Sequence, residues 1–179
     1  MARHIALLRG INVGSNNRIG MAELRALLAE RGFEDPRTLL ASGNVVLGSR
    51  KRPATVAREL NALIRERFGF DIGIVVRSRD ELAAVIEGNP LGDPAGDPKN
   101  LHVTFLSGTP DAAEAERLET TVAEPERLAV RGREIYVWYA NGMQGSPAAK
   151  LLSDAKLGVI PTARNWNTVM KLLELADER

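Results

Sequence analysis

The chain has 179 residues, 44% of them hydrophobic, and its 24 basic and 23 acidic side chains leave a formal net charge of +1. That supplies core for one domain or two small coupled ones, with charge too balanced and too evenly spread for a dedicated DNA or anionic-membrane binder. With no cysteine and only two histidines, His4 and His102, the chain excludes disulfides, thiolate catalysis, zinc–cysteine sites and iron–sulfur clusters, and does not make a histidine-rich metal site.

Residues 1–9 reach a second arginine before a signal-peptide apolar region could form. No run approaches the roughly 18 apolar residues of a membrane span. A soluble, cytoplasmic protein with no membrane partner, no metal and no cofactor is expected.

Residues 5–8 are a short apolar run ending in Arg9-Gly10, which predicts a buried strand entering a loop. Residues 10–20 are that loop, with glycines and asparagines that tolerate positive φ. Met21, Leu24, Leu27 and Leu28 fall at helical spacing, and Gly32 stops the helix. Residues 37–41 and 44–47 flank Ser42-Gly43 as a hairpin with a tight turn. Pro53 opens a helix through Val56, Leu60, Leu63, Ile64 and Phe68 that closes at Gly69. Residues 72–76 are β-branched and read as a strand. The order is β-α-β-β-α-β, the ferredoxin-like unit. A further short helix is predicted over 80–88, followed by Asn89-Pro-Leu-Gly-Asp-Pro-Ala-Gly-Asp-Pro98, which reads as a linker.

The second half repeats the theme. It has a strand at 102–106, a helix at 111–120, and a hairpin of 127–130 with 135–139 across Arg131-Gly-Arg133. A helix follows at 147–157, with Ser146 as N-cap and Pro147 in its first turn. A brief strand at 159–160 and a final helix over 165–176 complete the pattern. The fold class is therefore α+β: two related ferredoxin-like halves packed together, 1–88 and 99–179, joined by the 89–98 linker and finished by a C-terminal helix.

The halves differ in one telling interval. Strand-end glycine to hairpin glycine spans 33 positions in the first, from Gly10 to Gly43, and 24 in the second, from Gly108 to Gly132. The surplus of nine falls mostly in the loop over 10–20. A loop enlarged in one copy of a repeat points to function.

Two polar stretches stand out: Arg9-Gly-Ile-Asn-Val-Gly-Ser-Asn-Asn-Arg18, and Thr162-Ala-Arg-Asn-Trp-Asn-Thr-Val-Met-Lys171. In a ferredoxin-like sheet the first strand lies beside the third, which puts the first loop, the Ser42-Gly43-Asn44 turn and the 68–71 connection at one end. Gly10 and Gly14 can bare backbone N–H groups, a helix starts near Met21, and Arg9 and Arg18 flank the loop. This is a workable anion cradle, though neither a Walker motif nor G-x-G-x-x-G. The competing reading is ordinary turn geometry. Ser42 has no histidine to serve it, so triad-type acyl transfer is not indicated.

In the second stretch Thr162 or Asn165 can cap the helix, and Trp166, Val169, Met170 and Leu173 are the expected core stripe. Asn165, Thr168 and Lys171 share the other face, where a surface helix more often carries Glu, Lys and Gln. That breach of local preference marks a buried polar network or a ligand site. Tyr136, Trp138 and Phe105 lie on predicted central strands, and could stack bases, but their apolar neighbours on both faces favour core. His102 reads as a structural residue, and Asp93 and Asp97 as turn residues of the linker.

The segments Ala6-Leu-Leu-Arg-Gly-Ile-Asn-Val-Gly14, Met21-Ala-Glu-Leu24, Ser42-Gly-Asn-Val-Val46, Thr162-Ala-Arg-Asn-Trp-Asn-Thr-Val169 and Lys171-Leu-Leu173 together resemble the bacterial family called domain of unknown function 1697. The resemblance covers nearly the whole chain. It implies two related α+β halves and brings no activity, substrate or catalytic residue. One departure is Gly145-Ser146-Pro147, where the resemblance implies a lysine directly after the serine; Lys150 is then the nearest substitute for any anion contact.

The resulting expectation is a small anionic ligand, a phosphate- or carboxylate-bearing molecule or nucleotide, bound at the junction of the halves. Its ligand-binding residues are Arg9, Asn12, Gly14, Arg18, Ser42, Asn44, Arg164, Asn165, Asn167, Thr168 and Lys171. No catalytic residue is assigned. The alternative is a nucleic-acid or protein-interaction module without catalysis, its Asn-rich motifs structural; the balanced charge does not favour nucleic acid.

Overall fold

A computed structural model describes residues 1–178. The N-terminal elements follow in the order β1 (Ala2–Leu8), α1 (Met21–Glu30), β2 (Glu34–Leu39), β3 (Asn44–Ser49), α2 (Pro53–Phe68), β4 (Ile74–Ser78) and α3 (Arg79–Glu87). The sheet order is β2-β3-β1-β4, with every neighbouring pair antiparallel. β1 is central because it is apolar on both faces. Ala6 and Leu8 join Val45, Leu47, Ile74 and Val76 under Leu24, Leu28, Val56, Leu60 and Ile64 in one cluster. Ile5, Leu7, Val46 and Val75, on the other face, are also buried. Each such side chain withdrawn from water contributes roughly 1.5–3 kcal/mol. α2 shows why the sequence is legible here: Pro53 sits in its first turn, Val56, Leu60, Leu63 and Ile64 are buried at helical spacing, and Gly69 ends it at φ 84°.

The second set is β5 (Leu101–Leu106), α4 (Ala112–Thr121), β6 (Arg127–Arg131), β7 (Glu134–Trp138), α5 (Pro147–Asp154) and β8 (Pro161–Asn165), in sheet order β6-β7-β5-β8. Strand for strand this repeats the first order. Leu106, Ile135, Val137 and Tyr139 pack with Leu118, Ala148 and Leu157 in its core. Phe105 and Tyr136 are buried as well, the Tyr136 hydroxyl donating to Val85 O at 2.8 Å. Phe105 and Tyr136 are thus core, while Trp138 at the end of β7 is half-buried. Residues 89–98 carry no strand or helix until a 3-10 turn at Pro98–Asn100, capped by the Asp97 side chain. α6 (Trp166–Asp177) ends the chain. The architecture is the expected α+β one: two four-stranded antiparallel sheets, each with helices, plus a C-terminal helix. Two compact units divide it, Met1–Ala84 with the chain from Lys171 onward, and Val85–Met170. Among the described residues no helix is long and apolar enough to cross a membrane.

Three local expectations need correction. The brief strand expected at 159–160 is β8, Pro161–Asn165, paired with β5 from Leu106↔Pro161 to His102↔Asn165. Thr162 and Arg164 are therefore strand residues, because pairing with a distant strand outweighs local preference. The buried stripe of α6 is Trp166, Val169, Leu172 and Ala176, while Met170 is 37% exposed. The first hairpin turns through four residues, 40–43, with Leu40 at φ 62° and Gly43 at φ 95°, and not through Ser42-Gly43 alone.

Candidate functional site

The connection from β1 to α1 runs over residues 9–20 and is twelve residues long, against five, 107–111, between β5 and α4. The surplus inferred from the glycine interval is real and lies here. Asn12 holds the base of this loop. At φ 53° its side-chain oxygen accepts from the Ile19 amide at 2.9 Å, and its Nδ2 donates to Ile19 O at 3.0 Å and Ala41 O at 2.7 Å. The Asn12 amide donates to Asn17 O at 3.1 Å, and Asn17 Nδ2 donates to Gly10 O at 3.2 Å. Ile11 and Ile19 are buried in the first core. The segment between them, Val13-Gly14-Ser15-Asn16, is a small hairpin closed by Asn16 N to Val13 O at 3.2 Å. Its tip is exposed, as are Arg9 and Arg18.

The same end of the sheet gathers the other connections, as the sheet order requires. Leu8 N donates to Gly43 O at 2.8 Å and Arg9 N to Gly73 O at 2.9 Å. Gly43 is dictated twice over: its φ is 95°, and a Cβ there would come within 2.7 Å of Leu8 Cβ and 2.9 Å of Ile11 Cδ1. Gly14 needs only its conformation, φ 58°, and faces open space. Asn44 is fully buried, its Nδ2 donating to Leu39 O at 2.8 Å and to Ser42 Oγ at 3.3 Å.

The structure thus brings Asn12, Ser42 and Asn44 into one loop-and-hairpin assembly, with Asn12 and Asn44 spent on backbone groups. Arg9, Gly14 and Arg18 carry exposed, unspent chemistry: neither guanidinium pairs with a carboxylate among the described residues. α1 has Gly20 as its N-cap with no side-chain cap.

In the second unit Arg164 lies on β8 opposite Val103, half-buried, with Nη1 donating to Ala163 O at 2.8 Å. Burial pushes its guanidinium down to about 10. Asn165 pairs with His102 and is the cap of α6, its side-chain oxygen accepting from Thr168 N at 3.0 Å. Thr168 is buried, Asn167 half-buried and Lys171 exposed. His102 accounts for itself structurally: Nε2 meets Lys99 O at 2.9 Å, the ring stands edge-on to Tyr139 at 5.0 Å, and burial lowers its pKa. Lys150, the substitute considered for the missing lysine, pairs with Asp154 at 2.8 Å. No group of three or more His, Asp or Glu side chains among the described residues could hold a metal ion.

The sequence reading missed the roles of Asn17, Ile19 and Gly43 in locking the loop. The available signal was Ile11-Asn12 on one side of the Gly14-Ser15 tip and Asn17-Arg18-Ile19 on the other.

A search of curated proteins finds no match for the chain. Among solved structures it is similar to the conserved bacterial protein SP0830 from Streptococcus pneumoniae, with a TM-score of 0.79, 23% identity, and coverage of 98% of this chain and 99% of that one. At that identity the likeness speaks for the fold. The family model described as protein of unknown function, DUF1697, matches residues 1–136, three quarters of the sequence and all of the loop. The chain belongs to the DUF1697 family.

Proposed function

We propose that the protein binds a small phosphate- or carboxylate-bearing molecule, and that the loop over residues 9–20 is its recognition element. The observation that carries this reading is the division of labour within the loop. Asn12 ties down the base with three side-chain hydrogen bonds, while Arg9, Arg18 and the Gly14-Ser15 tip are left exposed. A rigid loop presenting two cations and a turn of backbone amides binds an anion with little ordering cost. In the second polar stretch Asn165 and Thr168 serve the helix start, so Arg164, Asn167 and Lys171 are its remaining positions for alanine substitution.

The test is a thermal-shift screen with nucleotides, phosphorylated metabolites and carboxylates, since a ligand of the folded state raises its melting temperature in proportion to ln(1 + [L]/Kd). A raised melting temperature that disappears in Arg9→Ala/Arg18→Ala supports the reading. A screen in which every class leaves wild type unchanged removes it.

A second reading, an interaction module without catalysis, draws on two exposed aliphatic side chains. Val13 is 68% exposed and Leu40 61%, on the two connections that the Asn12–Ala41 hydrogen bond ties together. It calls for self-association or partner binding that Val13→Ser/Leu40→Ser abolishes, seen by sedimentation, with no response to small anions.

A further inference from the structure

The second unit contains a cavity of about 500 Å³ that the loop does not share. Its walls are the last residue of α4, Thr121, with the connection 122–126, residues from Asn141 to Ser146 of the connection between β7 and α5, and the first turns of α5 with Leu151. Val122, Pro125, Pro147, Ala148 and Leu151 give it an apolar lining, which is the composition and size of a small-molecule site. Both connections are closed turns: Glu126 N donates to Ala123 O at 3.1 Å, Gly142 N to Tyr139 O at 3.0 Å, and Ser146 N to Met143 O at 3.1 Å. The cavity is therefore preformed.

Its polar chemistry is one-sided. The lining includes the carboxylates Glu124 and Glu126 and the amides Asn141 and Gln144, and no Lys, Arg or His. Glu126 is fixed in place: the Ser146 hydroxyl donates to Oε1, and Ala148 N donates to Oε2 at 2.9 Å. Ser146 in turn accepts from Ala149 N at 3.1 Å as the α5 cap. The anion-favouring start of α5 is thus already occupied by Glu126, so a second anion would meet a like charge. A carboxylate has about four acceptor positions; two are used, which leaves capacity on each oxygen toward a donor in the cavity.

We propose that this cavity is a binding site for a small organic cation, a primary amine or amidine carried on an apolar body. The charged end is held by Glu126, with Glu124 adding to the potential, and the apolar body lies against Val122, Pro125 and Leu151. This site is independent of the anion-binding loop and takes the opposite charge.

Benzylamine is the probe, with benzyl alcohol and benzoate as its neutral and anionic counterparts, titrated into the ¹⁵N-labelled full chain and followed by amide chemical shifts. Benzylamine is expected to move Gly145, Ala148 and Ala149 saturably, and benzoate to leave them in place. Glu126→Gln, which keeps acceptor and shape but removes charge, is expected to weaken benzylamine about tenfold, as loss of a charged hydrogen bond should. Leu151→Trp fills the cavity from its wall and is expected to abolish the shifts, which keeps the test decisive if the glutamine variant does not fold. Equal response to benzoate, undiminished binding by Glu126→Gln, or amides unmoved by benzylamine would overturn the assignment. An oligolysine peptide that moves these amides where benzylamine does not would overturn it in favour of a protein partner. All readout amides lie in the second unit, so a failed anion titration at residues 12–17 is a separate result.

Discussion

Replacing Asn12 tests the idea that one side chain holds the enlarged loop. Asn12→Ala removes the acceptor for Ile19 N and the donors to Ile19 O and Ala41 O. At about 0.5–1.5 kcal/mol net for each hydrogen bond, the upper limit is ~4.5 kcal/mol. Water can replace the donor to Ala41, which lies on the exposed side of the clamp, and that lowers the figure. The backbone adds to it, because φ is 53° at this position and alanine there costs about 1 kcal/mol where asparagine is tolerated. The expected loss is about 3 kcal/mol for Asn12→Ala. Asn12→Gly removes the same bonds but accepts the positive φ, so about 2 kcal/mol is expected. Urea unfolding should be followed by far-UV circular dichroism, because Trp138 and Trp166 both belong to the second unit and tryptophan fluorescence would not register the loop. Amide exchange gives the local readout: the Ile19 N–H, bonded to Asn12 Oδ1, should lose protection in both variants. If both variants stay within about 0.5 kcal/mol of the parent and Ile19 remains protected, the clamp is not what holds the loop.

Other outcomes follow from the same contacts. Gly43→Ala should cost about 2–5 kcal/mol, since a Cβ would overlap Leu8 and Ile11 at a φ that disfavours it; Gly14→Ala, facing open space, should cost only about 1–2 kcal/mol. Equal melting temperatures for the two would contradict the packing described beneath the turn. Asn165→Ala should lose about 0.5–2 kcal/mol with the acceptor for Thr168 N, and Asn165→Asp, which keeps an acceptor there, should lose little of it. His4 is buried on β1 and its pKa is held below 6.5, first by burial, with the backbone of Ser49 and Lys51 and the charge of Glu81 partly opposing. The unfolded chain then binds the proton more readily, so His4 contributes stability above pH 6.5 that is lost as pH falls below it. His102 acts in the same direction. His4→Phe should flatten the decline in urea midpoint between neutral and mildly acid pH, and an unchanged slope would exclude this role.

Much of the fold could be read from periodicity, because its elements announce themselves locally. α2 carries proline, apolar spacing and glycine stop in one stretch, and the paired halves show in the repeated element order. What could not be read is what distant partners decide. β8 is extended because β5 lies alongside it; nothing in Thr162-Ala-Arg-Asn165 states this by itself. The stripe on α6 passes through Leu172 and not Met170, a rotation that only the packed helix reveals. The positive φ of Asp35 and Leu40 has no glycine to mark it. Among the site residues, the density of asparagine was visible but its use was not. Asn12, Asn44 and Asn165 each satisfy backbone groups, a role that looks identical in sequence to contacting a ligand. Glu126 and Ser146 were invisible as a pair because twenty residues separate them.

The most direct test of the anion-binding proposal is an amide titration of the loop with inorganic phosphate at constant ionic strength, on wild type and Arg9→Ala/Arg18→Ala. The proposal predicts saturable shifts at Gly14, Ser15 and Asn16 in wild type and none in the double variant. Amides that stay in place at millimolar phosphate, or that move equally in both proteins, would contradict it.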